Sequence, residues 1–293
     1  MENIIQLNDS VFHIFESHNV FCTLIVGSKK ALLLDTGFGC RNIMEDVSAL
    51  TSLPVILAYT HGHGDHAYPN KHFSEISIHQ DDLYLYRKNA GVLNKLINRI
   101  INPLKASPDE KRAYLGNYAK NPPRINMLCD GDQIDLGGTI IKVIATPGHT
   151  KGSVCFLDET NRLLYCGDTI SNHVWICLKE STRVSRYIQS LESLRAVMEP
   201  SYKIISSHSE TPLNAIVLDR LLACAKHISP DNSAQYHNRY CKGSYIYSEG
   251  IEILKARYGI GSFEEMVANI DQIEKDIFRD GLYVSVVFRK DKL

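Results

Sequence analysis

The sequence predicts an α/β fold, and three observations carry that expectation. Strand-like runs of β-branched and aliphatic residues, separated by polar turns, fill the first 60 positions. An amphipathic helical stripe begins near residue 83, and strand signals return after residue 126 with helical stretches between them. In the first region "SVFHIF", "VFCTLIVG" and "KKALLLDTG" read as strands broken by turns such as "GSKK". "LPVILAYT" (53–60) is a short apolar run of the kind buried on both faces of a sheet. Leu83, Tyr86, Ala90, Leu93, Ile97, Ile100 and Leu104 follow three- and four-residue steps, which predicts a helix. Pro103 breaks it, and "ASPDEKRAYLGNY" predicts a second helix starting near Ser107 with Pro108 in its first turn. Strands follow in "GDQIDLGGTIIKVIAT", "GSVCFLDETNRLLYCGD" and "YKIISSH", with a helix at about 184–199 before the last of these. The final 80 or so residues read as a helix in "LNAIVLDRLLACAKH", a strand in "SYIYSEG", a helix around 262–277 and a closing strand in "LYVSVVF".

Composition narrows the functional classes. The 293 residues are 44% hydrophobic and 22% charged, with a net charge of −1. That balance points to neither nucleic acid nor an anionic membrane as partner, and no run of 18 apolar residues predicts a membrane span. The N-terminal stretch lacks the basic and apolar regions of an export signal. The eight cysteines are scattered without a CxxC pair, so reduced thiols and a cytoplasmic location are expected.

Chemistry concentrates in "AYTHGHGDHAYPN" (58–70), where His61, His63, Asp65 and His66 fall within six positions on the loop leaving a buried strand. Neutral imidazoles and carboxylates are good ligands for zinc, iron or manganese. Gly62 and Gly64 remove side-chain bulk between them. Three further strand ends repeat the pattern: "VIATPGHTKGS" presents His149, "LLYCGDT" presents Asp168 and "KIISSHSE" presents His208. Seven such ligands suffice for two ions sharing a carboxylate.

These motifs, in this order across residues 4 to 208, resemble the metallo-β-lactamase superfamily. "THGHGDH" matches its HxHxDH signature, "TPGHTKGS" its second histidine motif, "YCGD" its bridging aspartate and "SSHS" its last histidine. "LLLDTGFG" resembles the family's strand-turn, which gives Asp35 a structural role beneath the site. The resemblance implies a four-layer αβ/βα sandwich in a single domain over 1–293, with a helical insertion at about 80–126 and a C-terminal extension at about 212–293. It implies that His61, His63 and His149 hold one ion, that Asp65, His66 and His208 hold the other, and that Asp168 bridges them. Zinc is the favoured metal, with iron and manganese as alternatives. Two such ions acidify a shared water to hydroxide and polarise a substrate oxygen. Asp65 is the candidate catalytic residue, orienting that water or passing a proton onward.

Two departures shape the expected activity. The β-lactamases of this superfamily carry cysteine or serine where Asp168 stands, so the chain resembles the glyoxalase II, lactonase and phosphodiesterase branches instead. The glyoxalase II pattern GHTxGH reads "GHTKGS" here, with Ser153 replacing its histidine. The expectation is a metal-dependent hydrolase of an ester, thioester or lactone carbonyl. A phosphodiesterase, a β-lactamase-type hydrolase or an iron-dependent oxygen- or sulfur-handling enzyme are the alternatives.

Between residues 87 and 124, Arg87, Lys88, Lys95, Arg99, Lys105, Lys111, Arg112, Lys120 and Arg124 face only Asp109 and Glu110. A basic lid would concentrate a small anionic substrate, while a solvated helix face is the plainer reading. Tyr68, Asn172, His173 and Trp175 stand near the motifs with no role that the sequence assigns. The oligomeric state is left open.

Overall fold

The computed structural model describes residues 3–91, 107–269, 273 and 275–293. They pack into two compact units. Residues 1–145, 152–161 and 207–210 form the first, and 146–151, 162–206 and 211–293 the second. Leu93, Ile97, Ile100 and Leu104 of the helical stripe, and Lys95, Arg99 and Lys105 of the basic stretch, lie outside the described residues.

The first unit carries a seven-stranded sheet in chain order. Strands β1 (Ile4–Asn8), β2 (Val11–Ser17), β3 (Val20–Val26) and β4 (Ala31–Leu34) run antiparallel in succession. From β4 onward, pairing is parallel through β5 (Val55–Ala58), β6 (Glu75–His79) and β7 (Arg124–Leu128). Parallel neighbours need a crossover, and the one from β4 to β5 contains helix α1 (Ile43–Leu50). Here the structure departs from the strands-and-turns reading of the first 60 residues. Ile43 and Val47, one turn apart, are the buried residues of this eight-residue helix, too short for its periodicity to stand out from the strands around it. Helices α2 (Leu83–Asn89) and α3 (Pro108–Asn117) follow β6. The start of α3 is the one expected. Ser107 and Glu110 close a reciprocal capping box, with Pro108 at the first helical position. An antiparallel meander of β8 (Gln133–Asp135), β9 (Ile140–Ala145) and β10 (Val154–Asp158) completes the unit.

In the second unit β11 (Leu163–Gly167) is buried along its whole length, as the apolar "LLYCG" demands. The run after Asp168 supplies strand β12 (His173–Ile176), and helix α4 (Val184–Val197) follows. Strand β13 (Lys203–Ser206) lies parallel to β11 and antiparallel to β14 (Leu213–Asn214). Helix α5 (Ile216–His227) leads to β15 (Ala234–Tyr236) and β16 (Ser244–Glu249). Helices α6 (Ile251–Tyr258), α7 (Phe263–Ala268) and α8 (Lys275–Arg279) precede β17 (Val284–Arg289). A four-stranded sheet runs β12-β17-β16-β15. Cys177 and Cys241 form a disulfide across it, which differs from the expectation of reduced thiols. Their separation of 64 residues leaves no local pattern to read. Among the described residues, no helix is long and apolar enough to cross a membrane.

His13 on β2 ties that strand to the segment carrying His208. Its Nε2 donates to the Ser209 carbonyl at 3.1 Å, and its Nδ1 lies 3.0 Å from the Thr23 hydroxyl. Burial lowers its pKa to about 4, against the opposing pull of the Ser209 hydrogen bond. The folded state therefore resists protonation that the unfolded chain accepts near the ordinary imidazole value of 6.5. The resulting stability is complete above that pH and lost as pH falls toward 4. The thermal unfolding midpoint should drop across this window, and His13→Gln should flatten the drop. An unchanged slope in the variant would contradict this role.

Candidate metal centre

Strand β5 delivers the first motif to a buried anchor. Just beyond it, the Thr60 backbone N–H and hydroxyl both donate to the Asp35 carboxylate at 2.8 Å. Asp35 stands at φ 65, a left-handed conformation that costs a non-glycine residue energy. His66 Nδ1 lies 3.0 Å from the same carboxylate, and the Ser207 hydroxyl donates to it at 3.4 Å. The expected structural role of Asp35 thus takes the form of direct hydrogen bonds to the motif.

These bonds settle histidine tautomers. The single Thr60 hydroxyl hydrogen goes to Asp35, so Thr60 Oγ1 accepts from His61 Nδ1 at 3.0 Å. His66 donates its Nδ1 hydrogen to Asp35. His208 donates its own to the Asn19 carbonyl at 2.9 Å, while the Asn19 amide donates back to the His208 carbonyl at 3.1 Å. In all three rings Nε2 keeps its lone pair for a cation. His61 Nε2 and His63 Nδ1 face each other at 3.0 Å. Asp65 Oδ2 lies 3.6 Å from His66 Nε2 and 3.9 Å from His208 Nε2.

The second unit holds the other two candidates by the same logic. His149 donates Nδ1–H to the Trp175 carbonyl at 2.8 Å, and its own carbonyl accepts from the Ser181 hydroxyl at 2.8 Å. Its Nε2 lies 3.4 Å from Asp168 Oδ2, next to the tight turn where Gly167 adopts φ 52.

Two ligand atoms on one tetrahedral ion at ~2.0–2.1 Å stand about 3.3 Å apart. The 3.0, 3.4 and 3.6 Å pairs bracket that spacing, and ligand atoms of Asp65, His66 and His208 all lie within 4.8 Å of one another. Imidazole and carboxylate donors so placed fit zinc, iron or manganese.

Asp82 is a residue of the site that sequence reading missed. Buried to 1% exposure, its carboxylate accepts from Gly62 N–H at 2.7 Å and Gly152 N–H at 2.8 Å. A Cβ on Gly62 would stand 2.8 Å from the Asp82 carbonyl oxygen, whereas one on Gly64 would meet nothing closer than 3.7 Å. Of the two motif glycines, Gly62 is therefore the one the packing requires. A lone aspartate at the start of a helical region gives no sequence signal of this bond.

The residues near the motifs that the sequence leaves without a role are held by hydrogen bonds. Tyr68 is buried and its hydroxyl donates to the Tyr114 carbonyl of α3. The Asn172 amide donates to the carbonyls of Phe278 and Tyr283 at 2.9 Å. His173 accepts at Nε2 from Trp175 Nε1–H at 2.8 Å, and its Nδ1 meets the Ser285 hydroxyl at 2.8 Å. Both ring nitrogens are thereby engaged, and burial lowers its pKa to about 3. Arg87, Lys88, Lys111, Arg112, Lys120 and Arg124 are all exposed, and Arg112 and Arg124 have acidic neighbours in Asp109 and Glu75.

A profile of the metallo-beta-lactamase superfamily matches residues 17–208. The chain is 26% identical over 199 residues to the acyl-coenzyme A thioesterase MBLAC2 of Gallus gallus, covering 63% of this chain and 70% of that protein. It is 35% identical over 113 residues to the hydroxyacylglutathione hydrolase of Acidiphilium cryptum, covering 38% and 42%. A solved structure, the metallo-beta-lactamase from Pontibacter korlensis, matches with a TM-score of 0.54 at 13% identity over 77% of this chain and 99% of that one, a likeness of fold. The chain belongs to the metallo-β-lactamase superfamily, has its α/β fold and is a hydrolase.

Proposed function

We propose that the chain is a two-metal hydrolase of thioesters, with esters and lactones as related carbonyl substrates. The observation that carries this reading is the tautomer control. His61, His66, His149 and His208 each have Nδ1 tied to an acceptor, which leaves Nε2 for a cation. By the motif match, His61, His63 and His149 would hold one zinc ion, Asp65, His66 and His208 the other, and Asp168 would bridge. When bound, the ions supply Lewis acidity that polarises a carbonyl oxygen and acidifies water. Asp65, with its side chain 30% exposed, is reachable from solvent and takes the proton of the attacking water. The thioester preference rests on the relatives named an acyl-coenzyme A thioesterase and a hydroxyacylglutathione hydrolase, names that each describe an acyl group on a thiol carrier.

The direct test is a panel of acyl-thioesters, nitrophenyl esters, lactones, phosphodiesters and nitrocefin, run after chelation and after reconstitution with zinc, iron or manganese. Thioesters should give the highest kcat/KM, and chelation should abolish turnover until zinc is restored. Preference for a phosphodiester or nitrocefin would refute the substrate class. Asp65→Ala should lower kcat by about 10²–10⁴-fold with little change in fold; wild-type turnover in this variant would remove Asp65 from catalysis. Asp35→Asn should weaken metal retention by about 10–100-fold on dialysis against a chelator, because it withdraws an acceptor that orients His66. Unchanged retention would show that the anchor does not tune the site.

A further inference from the structure

Three potential ligands of different chemistry meet in the first unit away from the motif residues. His18 lies at the tip of the β2–β3 hairpin, Cys40 on the loop after β4, and Glu110 in the first turn of α3. One ligand atom from each lies within 4.8 Å of the others. We infer that His18, Cys40 and Glu110 form a separate binding site for a thiophilic divalent cation of the zinc type.

The surroundings hold the three segments in place. Glu16 accepts from the backbone N–H groups of Phe38 and Arg41 at 3.0 Å, fixing the loop that carries Cys40. Gly39, at φ 78, lets that loop pass the Tyr68 ring where a Cβ would stand 2.5 Å away. The His18 ring packs edge-on against Phe38 at 5.6 Å. Helix α3 is tied to the same loop, since the Asn117 amide donates to the Arg41 carbonyl at 3.0 Å. Glu110 is steadied by the capping box, its Oε2 accepting from Ser107 N–H at 2.6 Å.

An imidazole, a thiolate and a carboxylate, with one position left for water, form a donor set suited to zinc and poorly suited to magnesium or calcium. Burial, with Glu16 nearby, pushes the Cys40 thiol up to about 12, so without a cation it stays protonated at neutral pH. Binding replaces that proton, which passes to solvent. The site also touches the catalytic region indirectly. Asn19, the neighbour of His18, is the residue whose carbonyl holds His208 Nδ1. A cation on His18 therefore stiffens the turn that orients a candidate ligand, and fastens the start of α3 to it.

The test is remetallation of the chelator-stripped protein with cobalt(II), followed by the near-ultraviolet thiolate-to-cobalt charge-transfer band. The seven candidate catalytic ligands include no sulfur, so the band reports cysteine coordination alone. The band should be complete by about three equivalents, two for the candidate catalytic pair and one for this site, vanish in Cys40→Ser and persist in Cys129→Ser, which alters an exposed thiol. Losing a residue that merely orients a ligand costs about 10–100-fold in metal affinity, so His18→Ala and Glu110→Gln should each weaken cobalt binding by at least that much. Absence of the band, its survival in Cys40→Ser, or its indifference to both His18→Ala and Glu110→Gln would overturn the site.

Discussion

Asp35 occupies a left-handed backbone conformation at φ 65 and is buried to 1% exposure, and both of its oxygens are used. It joins the end of β4, Thr60 beyond β5, His66 of the first motif and Ser207 beside His208. Three segments distant in sequence thus depend on one acceptor group. A carboxylate buried among donors stabilises them jointly, and leaving any of them unpaired would cost about 1–3 kcal/mol. The backbone strain at Asp35 is offset by those bonds. It persists because the surrounding strands over-determine it.

The same physical device recurs with different acceptors. A threonine hydroxyl, a carboxylate and two backbone carbonyls each take the Nδ1 hydrogen of one ring. A carbonyl can only accept, so the tautomer at His149 and His208 follows from local backbone geometry without reference to any ion. In each ring the hydrogen bond thus fixes the orientation and makes Nε2 the acceptor nitrogen. Asp82 plays the complementary part for the backbone, holding Gly62 and Gly152 so that the first motif keeps its turn.

Much of this was legible in the sequence, for identifiable reasons. Strands with long apolar runs such as β3 and β11 announce themselves, and Ser107, Pro108 and Glu110 mark the start of α3 through local chemistry. The candidate ligands stood out because metal-binding side chains cluster at strand ends. Helix α1 did not, since it is eight residues long and carries only Ile43 and Val47 as buried positions. Asp82 and the Cys177–Cys241 disulfide were hidden for another reason. Their partners lie 70 and 64 residues away along the chain, and nothing local encodes the pairing. His173 carries no role that the sequence assigns, and the structure shows a half-buried ring with both nitrogens engaged.

In the proposed two-metal site, seven side chains from four separated motifs would surround one pair of cations. Anomalous diffraction at the zinc edge, from crystals of the zinc-loaded protein, measures this directly. Two neighbouring peaks are expected, one against His61, His63 and His149 and one against Asp65, His66 and His208, with Asp168 touching both. Peaks that leave His149 and Asp168 unligated, or no peak beside the first motif at all, would contradict it.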